Sequence, residues 1–216
     1  MGEAQSLIAI VVYPRFTALD AVGPYEVLSR IPGYRTMFVS QSLDLVTADR
    51  GLTIKPDGTF AGVSQPAVLL VPGGPGQIEQ MENRALIGYL KRAAASAQLV
   101  VSVCTGSLLL GKAGLLEGRR ATSHWLALDA LAELGAEPVA KRVVRDGNIV
   151  TGAGVSAGID LALAVAAGLS DEKTAMSIQL GIEYDPKPPF DAGSPAKAPP
   201  EIVEAMRARA RKYLEG

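Results

Sequence analysis

The chain has one cysteine, Cys104, and one histidine, His124. Cys104 stands in LVVSVCTGSLLLGKAGLL, where an apolar run ends and a helical pattern begins. Strand, sharp turn and helix in that order display a side chain at the carboxyl end of the strand, as in a nucleophile elbow. The helix start adds free N–H groups and partial positive charge, which favour a thiolate. A lone cysteine also serves as a small core hydrophobe, so its neighbours decide between the two readings.

Three segments supply those neighbours. In VLLVPGGPG another strand ends at Gly73 and Gly74, whose backbone N–H groups could approach a reacting centre and form an oxyanion hole with the N–H of Thr105. In FTALDAVGPYEVL, Asp20 falls on the opening turn of a helix among Ala18, Leu19, Ala21 and Val22. It is either an ordinary first-turn acid or a buried catalytic one, and the sequence leaves both open. In ATSHW, His124 follows a short strand and opens a helix. Cys104 is followed by Thr105 rather than histidine, so the adjacent thiol–imidazole pair of many cysteine hydrolases is missing. His124 reads more readily as a capping or packing residue than as the general base. One histidine and one distant cysteine make no recognisable metal site, and no phosphate loop or dinucleotide fingerprint is present.

These residues need a scaffold that brings strand ends together. Short β-branched runs, LIAIVVY, TMFVS, LDLVT, AVLLV and LVVSV, alternate with helical patterns such as TALDAVGPYEVLSR and RALIGYLKRAAASA. That alternation predicts a mainly parallel sheet with helices on both faces, an α/β fold whose ligand crevice lies outside the carboxyl ends of the strands. RVVRDGNIVTG reads as a hairpin turning at Asp146-Gly147. HWLALDALAELG, SAGIDLALAVAAGL and DEKTAMSIQLGIEY read as further helices. Residues 185–199, DPKPPFDAGSPAKAP, form an irregular connection to a last helix, either a tether or a segment packed at a cleft or subunit interface. A single domain over 1–216 is expected.

Composition excludes several classes. With 216 residues, 48% hydrophobic and 20% charged, the chain is a compact globular protein rather than a disordered one. A net charge of −1 and basic groups interleaved with acids argue against nucleic acid. One cysteine closes no intrachain disulfide, and LIAIVVY is too short to span a bilayer, so a cytoplasmic protein without a membrane partner is expected. The opening MGEAQS matches a loose myristoylation pattern with no polybasic support and is read as chance.

Taken together, LDAVGPYEVL, VPGG, VVSVCTGSLLLGKAGLLEGRRATSHW, RVVRDGNIVTGAGVSAGIDLAL and PPFDAGSP resemble the ThiJ/PfpI superfamily, and within it the members that hydrate isocyanides. The resemblance implies a flavodoxin-like three-layer sandwich, a homodimer, and conversion of an isocyanide to an N-substituted formamide without metal or organic cofactor. It also implies Cys104 as nucleophile, Asp20 as acid/base carboxylate and Thr105 as the residue beside the nucleophile. Val155 and Ser156 in GAGVSAG leave room for different packing near that nucleophile. Two other readings use the same residues: a redox-sensing or protective cysteine protein, and a sensor domain of the arabinose-type regulators, whose DNA-binding part this chain lacks.

Overall fold

The computed structural model describes residues 5–215, with side chains described to residue 210. The myristoylation-like pattern begins among residues 1–4, outside the described residues. The chain divides into two compact units, one ending at Ile182 and one starting at Glu183.

The first unit opens with β1 (Ser6–Val11), α1 (Ala18–Leu28), β2 (Tyr34–Ser40), β3 (Val46–Thr47), β4 (Thr53–Ile54) and β5 (Gly58–Thr59). It continues through β6 (Val68–Val71), α2 (Gln77–Gln80), α3 (Arg84–Ser96), β7 (Leu99–Val103) and α4 (Gly106–Lys112). After β8 (Arg120–Ala121) come a 3-10 turn (Trp125–Ala127), α5 (Leu128–Glu133), β9 (Glu137–Pro138), β10 (Val143–Asp146) and β11 (Ile149–Gly152). Helices α6 (Ala157–Leu169) and α7 (Glu172–Gly181) complete the unit, and α8 (Pro200–Glu215) belongs to the second.

Seven strands form one sheet in the order β10-β11-β7-β6-β1-β2-β5. All neighbours are parallel except β10 against β11. Strands β6 and β7 are buried along their whole length, as parallel strands covered on both faces must be, which explains their unbroken apolar runs. The chain leaves β1 for β2 on one side and later returns to β6 on the other, so the strand order reverses at β1. Such a switch point opens a crevice at the strands' carboxyl ends. Register aligns those ends: Val71 lies opposite Ser102, and Val103 opposite Gly152. The turns after β6, β7 and β11 therefore start side by side.

Local differences from the sequence reading have simple causes. LDLVT yields only the two-residue β3, paired with β4 outside the main sheet. Val46 is buried, but Leu43 and Leu45 remain 54% and 68% exposed, so the side of the segment that carries them is not covered. HWLALDALAELG divides into the 3-10 turn and the short α5. The hairpin forms one residue later than expected: Asp146 still pairs with Ile149, leaving Gly147, at φ +61°, and Asn148 in the loop.

Candidate active site

Cys104 follows β7 directly and adopts φ +57°, a left-handed conformation uncommon for a residue with a side chain. The surrounding backbone fixes it there. Its N–H donates to the carbonyls of Gly152 and Ala153 at 3.1 and 3.0 Å. Its carbonyl accepts from the Ser107 and Ser123 hydroxyls at 3.2 and 3.0 Å. Strain of this sort persists only where neighbours over-determine it, and it leaves the thiol beside Asp20 and the N–H groups of Thr105 and Val155.

Asp20 lies on the first turn of α1 and has no exposed surface. One carboxylate oxygen, Oδ2, accepts from the Gly73 N–H at 2.9 Å. The other, Oδ1, is buried without a partner at hydrogen-bonding geometry, while the Cys104 thiol lies close enough to favour the ionised carboxyl. Burial dominates these opposing influences and pushes the Asp20 carboxyl up to about 7, with the negative Asp49 on the β3–β4 hairpin adding to the rise. The thiol is likewise pushed well above the ordinary cysteine range, by burial first and by the charge of Asp20 second. Backbone N–H groups of Thr105 and Val155 point at the sulfur and oppose that rise without overcoming it. The elbow's position alone therefore does not make a free thiolate. Near neutrality the two groups retain a proton between them, and they titrate as a pair.

The glycine turn is the clamp that holds this pair. Gly73 N–H is taken by Asp20, and Gly74 N–H by the Thr105 hydroxyl at 3.0 Å. Both amides thus already have side-chain acceptors, whereas the amides aimed at sulfur are those of Thr105 and Val155. A Cβ on Gly73 would stand 2.4 Å from the Thr105 nitrogen, and one on Gly106 would stand 2.1 Å from the Val71 carbonyl oxygen. The two turns meet backbone to backbone, which only glycine permits. On the other side Thr17 N–H donates to the Gly73 carbonyl at 2.8 Å, tying the start of α1 to the same turn.

His124 is not among the groups that act on the Asp20 carboxyl or the Cys104 thiol. Its Nδ1 accepts from the Leu126 N–H at 3.3 Å and caps the 3-10 turn, and its ring packs over Gly154. Burial lowers its proton affinity, leaving a neutral imidazole at pH 7. An open cavity of about 460 Å3 near the start of α7, lined by residues such as Arg30, Lys173, Thr174 and Ser177, includes neither Cys104 nor Asp20, nor Thr105, Gly73 or His124.

Sequence reasoning overlooked Tyr13, Asp49 and Ser123, and treated Val155 only as a packing position. Val155 could have been found by the logic that found Gly73: GAGVSAG is another small-residue turn between a strand and a helix. Its φ of +25°, rare for a β-branched residue, has no sequence signal.

A model of the DJ-1/PfpI family matches residues 6–167. The chain belongs to the DJ-1/PfpI family. Among its relatives in this family, an isonitrile hydratase from Pseudomonas putida is 47% identical over 96% of this chain and 91% of its own length. An HTH-type transcriptional regulator from Pseudomonas aeruginosa is 31% identical over 74% of this chain but only 48% of its own length. A ThiJ/PfpI family protein from Pseudomonas syringae, 43% identical, has a crystal structure that superposes with a TM-score of 0.95 over 100% of this chain and 89% of its own. The architecture is the α/β sandwich of that family, a mostly parallel sheet with flanking helices.

Proposed function

We propose that this DJ-1/PfpI protein is an isocyanide hydratase, a lyase that adds water to an isocyanide to give an N-substituted formamide. The observation that carries the reading is the fully buried Asp20, held by Gly73 and raised to about 7, beside the thiol of Cys104. The 47% identity to an isonitrile hydratase over nearly the whole chain supports it.

The chemistry needs one nucleophile and one group that carries a proton both ways. With the shared proton on Asp20, the Cys104 thiolate attacks the terminal carbon of the isocyanide, and Asp20 protonates that carbon to give a thioimidate. Water then adds to the thioimidate carbon, losing one proton through Asp20 to the substrate nitrogen. Loss of the remaining hydroxyl proton to Asp20, with departure of the thiolate, releases the formamide and restores the shared proton. A carboxyl near 7 suits both directions of transfer. The Thr105 and Val155 amides stabilise sulfur each time it is negative, while Gly73, Gly74 and the Thr105 hydroxyl position the pair.

A homodimer fits the exposed apolar side chains Met176 and Leu180 on α7 of the first unit, surface that a second copy would cover. Among the described residues no helix is long and apolar enough to cross a membrane; a single cysteine used as a thiol suits a reducing compartment such as the cytoplasm. Purified protein given an aryl isocyanide should produce the formamide, and Cys104→Ala should produce none above background. Absence of formamide from several isocyanides, together with rapid peroxide oxidation of Cys104, would replace this reading with a redox one.

A further inference from the structure

Tyr13 lies two residues beyond β1, buried, with its ring edge-on to Phe16 at a centroid separation of 6.4 Å. The reaction scheme gives it no role. Its hydroxyl donates to the Pro72 carbonyl at 2.8 Å. The N–H on the other side of that same peptide bond belongs to Gly73 and donates to Asp20 Oδ2 at 2.9 Å.

We propose that Tyr13 sets the proton affinity of Asp20 through the Pro72–Gly73 peptide, as a positioning residue for the proton carrier. The inference rests on Asp20 being that carrier. A peptide group is one resonance unit. A hydrogen bond donated to its oxygen draws electron density from its nitrogen and makes the N–H a stronger donor, so bonds on the two sides reinforce each other. Tyr13 thereby supports the ionised form of Asp20 against burial.

The geometry leaves this peptide little room to respond by moving. The next peptide, Gly73–Gly74, is pinned on both sides: its carbonyl accepts from Thr17 N–H at 2.8 Å and its N–H donates to the Thr105 hydroxyl at 3.0 Å. A Cβ on Gly106 would already lie 2.8 Å from the Pro72 oxygen. Loss of the tyrosine hydroxyl would therefore reach Asp20 as a change in donor strength more than as a displacement. The titratable groups facing Asp20 are the Cys104 thiol from the elbow, Asp49 from the β3–β4 hairpin and the Tyr13 hydroxyl from the end of β1. Arg50 on that hairpin lies 3.9 Å from Asp49.

The test follows the rate of Cys104 alkylation by iodoacetamide against pH in the full chain, a readout that needs no isocyanide turnover. Alkylation should fall on the acid side as the Asp20–Cys104 pair takes up its second proton. In Tyr13→Phe that midpoint should move up by about 0.3 pH units, the size of a modest weakening of one charge-assisted hydrogen bond. Site-specific 3-fluorotyrosine at position 13, whose hydroxyl is a stronger donor, should move it down. Opposite shifts support the proposal. A midpoint unmoved by fluorotyrosine overturns it, including when Tyr13→Phe merely melts earlier, and if Tyr13→Phe fails to fold the fluorotyrosine protein decides alone. Asp20→Asn in the same assay should replace that midpoint with the ionisation of the Cys104 thiol alone; a midpoint that stays where it is in the unmodified protein removes Asp20 as its source and overturns the inference whatever the outcome with isocyanide.

Discussion

Asp171 and Asp20 both stand at the start of a helix, and both accept a backbone N–H. At the exposed N-cap of α7, Asp171 accepts from the Thr174 N–H at 2.7 Å and from its hydroxyl at 3.2 Å. Those donors hold its carboxyl below the usual range, with the backbone bond the largest influence. At the start of α1, Asp20 accepts the Gly73 N–H at a similar 2.9 Å, yet its carboxyl is pushed up to about 7. The difference is access to water. One hydrogen bond outweighs the desolvation of an exposed acid but not that of a fully buried one. The same residue type at nearly the same helical position becomes a structural cap in one place and the proposed proton carrier in the other.

The largest expected effect separates the two aspartates by rate. Asp20→Asn should lower isocyanide turnover by roughly 10²–10⁴-fold, the loss typical of a general acid/base, while leaving Cys104 open to alkylation. Asp171→Asn should leave turnover within about twofold, since surface changes far from the reacting groups seldom reach them. An Asp20→Asn rate within about threefold of the unmodified protein would end the distinction and the proposed mechanism with it.

Next comes the clamp that Asp20 has and Asp171 lacks. Gly73→Ala places a methyl 2.4 Å from the Thr105 nitrogen and 2.6 Å from its hydroxyl oxygen, so the turn must shift and carry the carboxyl with it. A displacement on the order of 1 Å is enough for a loss of about 10²-fold in turnover. Gly181→Ala, at the end of α7, meets nothing within 4 Å and should leave both rate and melting temperature close to those of the unmodified protein. Formamide assays and thermal melts of the two variants make the comparison.

A smaller effect concerns the sign of pH dependence. Asp20 holds its proton more tightly folded, near 7, than its ordinary value of 3.8. Its contribution to stability is thus fully present below about pH 4 and is lost as pH rises through 7. Asp20→Asn removes that loss. Urea unfolding should show the variant gaining on the unmodified protein by on the order of 1–3 kcal/mol at pH 8 and by nothing at pH 4.

Cys104 was legible in the sequence because strand and helix periodicity switch at one residue, a local signal that needs no tertiary contact. Gly73 and Gly74 were legible as a turn for the same reason, but their partners were not. Which acceptor each N–H finds depends on how α1 and the elbow dock, and those segments lie 53 and 31 residues away along the chain. Asp20 was legible as a helix-start acid, and its burial was not, because desolvation comes from α1 docking against the turns after β6 and β7 that carry Gly73 and Cys104. LDLVT failed in the opposite sense. Its alternation is that of a strand, but no second surface packs over Leu43 and Leu45. Periodicity proposes a buried face and only the tertiary fold supplies it.

The smallest effect is the mirror image at α7. Asp171 has a lowered pKa when folded, so its contribution to stability is present above its unfolded value of 3.8 and is lost as pH falls through the lower folded one. Asp171→Ala removes the acceptor for the Thr174 N–H as well as the charge, and should lower the melting temperature at pH 7 by about 2–4 °C, as loss of an N-cap does in a chain of this size. The gap should narrow steadily below pH 4, the reverse of the trend for Asp20→Asn, which grows above it. Turnover should not change at any pH. If the melting difference for Asp171→Ala is instead constant from pH 7 to pH 2.5, the cap acts through neutral hydrogen bonding alone, and the electrostatic half of the comparison between the two helix starts fails while the desolvation of Asp20 stands.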